Sequence, residues 1–353
     1  MLQTTYYEVA NRLERIDFPS IWPGFSSGSF ALYQEKLACL GGQLVPRPPE
    51  FRGNTAISWQ GGPLAFWNLE QETDLDLLAS CLVHELFHAH QLASGETRFP
   101  QDIRLALSPA PLPSLASRLQ EGRLLAQAVS AGPDAARAHL TDFCALRRQR
   151  QERPECLQEC LVETVEGTAE FVGLQALRTL SPEKYQRELD RYRALLLHPG
   201  PLLTDPRRMA YYTGALLLVS AQEAGLDLRH LLPGQGLPLF AFLDRLLPHT
   251  SPPPLSADAL DEAAPLQEAQ DHAHRQAVNG FLAQNPPYQE GPFRICGYDP
   301  MNQFAVDGNL FCTHFLALQH LATGSVHTLI GQSLLVLAPG SWEEALGVYH
   351  KKS

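Results

Sequence analysis

The stretch Cys81–Gln91, "CLVHELFHAHQ", places three histidines and a glutamate within seven positions of an otherwise apolar run. Around it, over "TDLDLLASCLVHELFHAHQLAS" (73–94), Leu75, Leu78, Leu82, Leu86 and Ala89 recur at threes and fours, which predicts a helix. Asp74 and Asp76 fall at its amino end, where acidic side chains meet the helix dipole favourably. On such a helix His84 and His88 lie about 40° apart and one turn along, so both can reach one ion. Glu85 points about 100° from His84, beside that ion rather than onto it. His90 falls about 200° round from His88 and cannot join them. Polar groups this dense in so apolar a helix are costly to bury without a partner. Two neutral imidazoles with a carboxylate alongside are what a hydrolytic zinc site needs.

The 353 residues carry a formal net charge of −11, with 44% hydrophobic and 18% charged content. That much apolar material supplies a core and excludes a disordered chain. The longest basic run is "RRQRQER" (147–153), so nucleic acid is excluded as a partner class. The amino terminus "MLQTTYYEVANRLERIDFP" lacks the basic-then-apolar order of a signal peptide, and no apolar stretch approaches the ~20 residues of a membrane span. The expectation is a soluble, cytoplasmic protein with no membrane partner. Seven cysteines without a CxxC pair read as free, buried thiols.

The pattern predicts an α+β chain, mainly helical. Residues 1–96 hold a small sheet, carried by "FALYQEKLACL", "NTAISW" and "PLAFWNL", and then the histidine helix. Residues 97–154 read as a helical insertion, with "SLASRLQEGRLLAQAVS" and "DAARAHLTDFCALRRQRQ" as an antiparallel pair. Residues 155–250 continue the helical core, with helices over 155–180, from Ser181-Pro182, and over 204–225. Residues 251–285 are a linker and helix, entered through the prolines of "HTSPPPLS". Residues 286–353 turn strand-like and form a small β-rich module.

The helix over 155–180 carries Glu159, Glu163, Glu166 and Glu170 at spacings of 4, 3 and 4, a single acidic stripe. Leu161, Val162, Val165, Phe171, Val172 and Leu174 leave little else of its circumference polar, and only Arg153 and Arg178 lie in or beside it. Four carboxylates so placed repel one another unless a cation compensates them, and zinc is such a cation. Gly167 interrupts this helix at a cost of ~1 kcal/mol relative to alanine, which points to close approach of another backbone.

"HELFH" at 84–88 followed by "EGTAE" at 166–170 resembles the HExxH zinc metallopeptidases of the gluzincin type. The metzincin pattern, with Gly three and His six residues after the second motif histidine, is excluded by Gln91 and Ser94. The resemblance covers roughly residues 50–220 and implies a zincin-like core with one Zn²⁺ per chain, held by His84, His88 and Glu166. Glu166 is favoured because similar gluzincins place the zinc glutamate directly before a glycine; Glu163 could exchange roles with it. Glu170 matches the carboxylate that hydrogen-bonds a ligand histidine and fixes its tautomer. Glu85 is then the general base and later the proton donor for a zinc-activated water.

In such enzymes Tyr or His stabilises the oxyanion, and Tyr211 of "MAYYTGALLL" is favoured over Tyr212, since adjacent helical residues point about 100° apart. A hairpin turning at Gly61-Gly62 either offers an edge to an extended peptide or merely covers the core. The 77 residues between His88 and Glu166 exceed what many gluzincins have; the insertion accounts for them and would wall or cover the cleft. The implied function is hydrolysis of peptide or protein substrates. Two alternatives stand beside it: a catalytically silent, peptidase-like zinc protein acting as a binding or regulatory module, and a metal-free helical scaffold. Glu85 opposes the first, since a purely structural zinc prefers four protein ligands.

Overall fold

A computed structural model describes residues 1–353 other than 71–73, 232, 233, 235, 352 and 353, so Thr73, at the start of the predicted helix, lies outside the described residues. Two helices, α1 (Leu2–Leu13) and α2 (Phe18–Ile21), precede β1 (Ser29–Tyr33), β2 (Leu37–Leu40), β3 (Gln43–Pro46), β4 (Thr55–Trp59) and β5 (Gly62–Asn68). Then follow α3 (Leu75–Ala93), α4 (Asp102–Leu107), α5 (Leu112–Ala128), α6 (Pro133–Arg148) and α7 (Pro154–Val162). A π-helical turn at Glu163–Gly167 joins α7 to α8 (Thr168–Leu180). The helical region closes with α9 (Pro182–Leu197), α10 (Pro206–Glu223), α11 (Leu239–Asp244) and α12 (Ala257–Leu282). Last come β6 (Tyr288–Tyr298), β7 (Gln303–Val306), β8 (Asn309–Cys312), β9 (Phe315–His320), β10 (Val326–Ile330), β11 (Ser333–Leu337) and β12 (Glu344–His350).

The α+β expectation holds as an N-terminal five-stranded mixed sheet, a central helical region and a C-terminal seven-stranded antiparallel sheet. The first sheet has the order β3-β2-β1-β5-β4, with β1 and β5 parallel. Alternation along β1 divides its faces: Phe30 and Leu32 enter the main core, while Ala31 and Tyr33 join Phe51, Leu64 and Phe66 on the other side. The β4–β5 turn falls one residue earlier than predicted, at Gln60-Gly61. Both residues have positive φ, 50° and 87°, the conformation that a two-residue hairpin turn matching strand twist requires. Helix α1 and strand β12 have no counterpart in the sequence reading. The buried face of α1 is just Leu2, Val9 and Leu13, too sparse to register as a period.

Helix α3 starts where the aspartates suggested. The Asp74 carboxylate accepts from the Asp76 and Leu77 amides, at 3.0 and 3.2 Å. Lys184 of α9 reaches both Asp74 and Asp76, and Arg12 of α1 reaches Asp76, so three helices are tied at this end. In the C-terminal sheet, order β10-β9-β6-β12-β11-β8-β7, one face packs Phe293, Leu310, Leu316 and Leu335 against Ile103 of α4. The other presents Phe311 and Leu334 to Val278 and Phe281 of α12. No helix among the described residues is long and apolar enough to cross a membrane. None of the seven cysteines forms a disulfide.

The segment 97–154 is not set apart from the core. Leu115, Leu119, Leu125, Leu140 and Phe143 share one hydrophobic cluster with Leu82 of α3, Val172 of α8 and Leu216 of α10. It also supplies the buried countercharge of the protein. Arg147 contacts Glu121 at 2.6 Å and grips Glu163 at 2.8 and 3.0 Å. Arg150 bonds Glu121 at 2.8 Å and Glu159 at 2.6 Å, and Arg118 pairs with Glu159. Three arginines and three glutamates thus alternate, all of them buried.

Burial alone would raise the Glu121 carboxyl, but Arg147 and Arg150 beside it hold it at about 2. An unfolded glutamate titrates near 4.3, so the folded value is depressed. The resulting stabilisation is complete above about pH 4.3 and lost as pH falls towards 2. Urea unfolding followed across this range should show wild-type stability declining, and Glu121→Gln should flatten that decline. At pH 7 the variant should be less stable by about 3–5 kcal/mol, because it leaves buried arginine charge unpaired.

Candidate metal centre

Two close helix crossings assemble the site. Ser80 Oγ of α3 donates to the Gly173 carbonyl of α8 at 2.8 Å, and a Cβ added at Gly173 would lie only 3.0 Å from the Ser80 carbonyl. At the π-helical turn, a Cβ on Gly167 would fall 2.5 Å from Gly214 Cα of α10. The mid-helix glycine therefore serves the close backbone approach that its cost suggested. These crossings set His84 and His88 opposite Glu166 and Glu170, and bring the first turns of α10 onto the same point.

The acidic stripe does not survive as one face. A π-helical turn holds an extra residue per turn and shifts the phase of everything after it. Before and within it, Glu159 and Glu163 turn to the arginines; after the shift, Glu166 and Glu170 turn to the histidines. Glu163 is thereby corrected: it neither exchanges roles with Glu166 nor supports a histidine. It takes Arg147 with both oxygens and accepts from Thr213 Oγ1 at 2.7 Å. The compensating charge for half of the stripe is arginine from α5, α6 and the loop after α6.

His84 Nε2 and His88 Nε2 lie 3.0 Å apart. Glu166 Oε2 lies 3.1 Å from the second and 3.7 Å from the first. These three residues form a group that could hold a metal ion. A tetrahedral ion about 2.1 Å from its ligands would separate neighbouring ligand atoms by roughly 3.4 Å, which lies within that spread.

The hydrogen bonds behind the ring nitrogens fix their tautomers. His84 Nδ1 is 3.0 Å from Glu170 Oε2, and His88 Nδ1 is 2.8 Å from Gln91 Oε1. Gln91 is itself oriented, since its Nε2 donates to the Val165 carbonyl and to Thr168 Oγ1, both at 2.9 Å. Carboxylate and amide oxygens only accept, so each Nδ1 carries a proton, and each ring when neutral turns its Nε2 lone pair to one point. Glu166 adds a carboxylate oxygen there. Something electropositive has to occupy that point, either a proton on an imidazole or a metal ion.

The electrostatics agree. Burial lowers an imidazole pKa, but Glu166 and Glu170 outweigh it and hold His84 well above its ordinary value. His88 is raised against its burial by Glu166. Burial would raise Glu166, yet His88, His84 and Arg207 hold it well below the usual carboxylate range. Glu85 is buried and pushed up, chiefly by that burial. The Tyr211 phenol is raised by burial and then by the Glu166 carboxylate, and its ring lies parallel to His84, with centroids 6.0 Å apart. Tyr212 packs instead on Tyr192, which donates to Glu170. His90 looks away as its spacing required, held between Phe25 and Phe87, where burial lowers its pKa.

Four residues at this site carried no role in the sequence reading. Gln91 offered a local signal, standing one turn after His88 on the same helix. Tyr192, Arg207 and Asp102 offered none, because each reaches the site from a different helix.

Metal content separates the glutamates. Glu166→Ala should lose bound metal, measured as metal per chain by elemental analysis. Glu163→Ala should keep the metal but unfold about 3–5 kcal/mol more easily in urea, having removed one of the two carboxylates that compensate buried Arg147. Gln91→Leu should weaken metal binding by about 10–100-fold in a chelator competition.

Compared with known protein families, curated proteins and solved structures, the chain matches none, so the reading of its site rests on geometry and chemistry.

Proposed function

We propose that the protein is a zinc-dependent peptidase acting on peptide or protein substrates in the cytoplasm, where unbridged cysteines such as these stay reduced. The observation that carries the proposal is the convergence of two tautomer-locked imidazole lone pairs with one Glu166 oxygen, beside the buried carboxylate of Glu85. Three protein ligands leave a position open, the hallmark of a catalytic rather than a structural zinc. When bound, zinc supplies the Lewis acidity that polarises a scissile carbonyl and acidifies water.

The chain's own groups do the rest. Glu85 takes a proton from the attacking water and returns it to the leaving amine. Glu170 and Gln91 hold the two imidazoles in the tautomer that points Nε2 inward. Tyr211, whose raised pKa keeps its hydroxyl protonated, donates to the developing oxyanion. Strand β4 is an edge of its sheet and packs on α3, so its free main-chain groups are placed to pair with an extended substrate.

The test is zinc content together with chelator-sensitive cleavage of a diverse peptide library. Wild type should carry one zinc per chain and cleave, and the cleavage should stop with chelator and return with zinc. Glu85→Gln should keep its zinc and lose about 10²–10⁴-fold in rate. Zinc without any cleavage would favour a silent binding module, and no zinc in protein purified without chelator would sink the metal reading itself. Tyr211→Phe should lower kcat by about 10²–10³-fold with little change in KM.

A further inference from the structure

We infer that Arg207 is a positioning residue of the metal site: it makes Glu166 a one-oxygen ligand and ties that ligand, through Asp102, to the C-terminal sheet. This rests on the reading of His84, His88 and Glu166 as metal ligands.

Arg207 stands in the first turn of α10, one turn before Tyr211 on the same helix. Its Nη2 donates to Glu166 Oε1 at 2.8 Å, and its Nη1 donates to Asp102. The guanidinium therefore bridges two carboxylates, and one of the four oxygens it faces is the Glu166 oxygen not directed at the histidines. With Oε1 held, only Oε2 is left for an ion, 3.1 Å from His88 Nε2. A glutamate free of this clamp can swing both oxygens onto a metal, raising its coordination number and filling the position a substrate needs. Arginine suits the task, since its planar fork engages two carboxylates at once and stays charged while buried.

The far end of the clamp leads away from the site. Asp102 is the first residue of α4, and the next residue, Ile103, is buried in the C-terminal sheet among Phe293, Leu310 and Leu316. Tyr298 of β6 is placed close enough for Asp102 to act on its phenol, which burial and then this carboxylate push up to about 12. Asp102 and Arg207 also line a cavity of about 340 Å³ between α4, α10, α12 and the segment around Met301. The guanidinium thus borders that cavity and at the same time holds the Glu166 carboxylate. Anything that shifts α4 against α10, from the sheet or from within the cavity, moves Arg207 and with it the free oxygen of Glu166.

A purely structural role, fastening α4 to α10, predicts a different outcome from a positioning role. The experiment compares wild type with Arg207→Lys, which keeps the charge but loses the fork, and Asp102→Asn, which loosens its far end. Zinc release into excess chelator should accelerate about 10–100-fold in Arg207→Lys and less in Asp102→Asn. With Co²⁺ as the probe, the visible absorption should weaken as four-coordinate metal gives way to five-coordinate. Melting of the metal-free variants should fall, because each loosens a mostly buried ion pair, so zinc release and the Co²⁺ spectrum carry the decision. Unchanged zinc release and an unchanged Co²⁺ spectrum in the folded variants would overturn the inference, whatever their melting temperatures. If Arg207→Lys does not fold, Asp102→Asn decides alone. Failure of the underlying reading looks different: wild type itself would take up neither zinc nor cobalt, and both would fall together.

Discussion

A carboxylate taken out of water has to meet positive charge or hydrogen-bond donors, and the stretch from Glu159 to Leu180 carries four of them into the interior or its margin. The rest of the central architecture follows from how that demand is met. Glu159 and Glu163 receive arginines, which is why α5 and α6 lie inside the core rather than over it. Glu166 and Glu170 receive imidazoles, which is why α3 lies across the other side. An unpaired charge at either place would cost several kcal/mol, so neither half can drift from its partner without destabilising the whole.

The division depends on a local irregularity of the backbone. A straight α-helix would keep the four glutamates on one stripe and leave arginines and histidines competing for them. The π-helical turn changes the phase between Glu163 and Glu166, and the Gly167–Gly214 contact presses α10 against that turn. The same segment that weakens the helix is therefore the one that separates a structural ion network from a chemical site. Function follows from the separation: on one side all charges are compensated, while on the other two lone pairs and a carboxylate oxygen converge with only a proton or a metal ion to satisfy them.

Much of the site was legible because its members share one helix. His84, Glu85 and His88 are related by helical spacing alone, and His90 is excluded by the same angles. The cost of Gly167 correctly announced a backbone contact, and short β-favouring runs marked the regions of the two sheets. Legibility failed where charge partners are far apart in the chain. Arg147 and Arg150 lie in a segment that reads as an insertion, and nothing near Glu163 reveals that they will meet it. The stripe of four looked uniform because a π-helical turn leaves no compositional mark.

By itself, then, the sequence determined the helix with its pair of histidines, the carboxylate beside them, and the presence of two sheets around a helical middle. Those are consequences of local periodicity, capping and side-chain chemistry, which act over a few residues. Only the tertiary structure decided between Glu163 and Glu166, brought Glu170 onto His84, and showed that Gln91 sets the other tautomer and that Arg207 holds the remaining oxygen. These outcomes depend on which buried charges become neighbours when helices cross, and that choice is made by packing across the whole core.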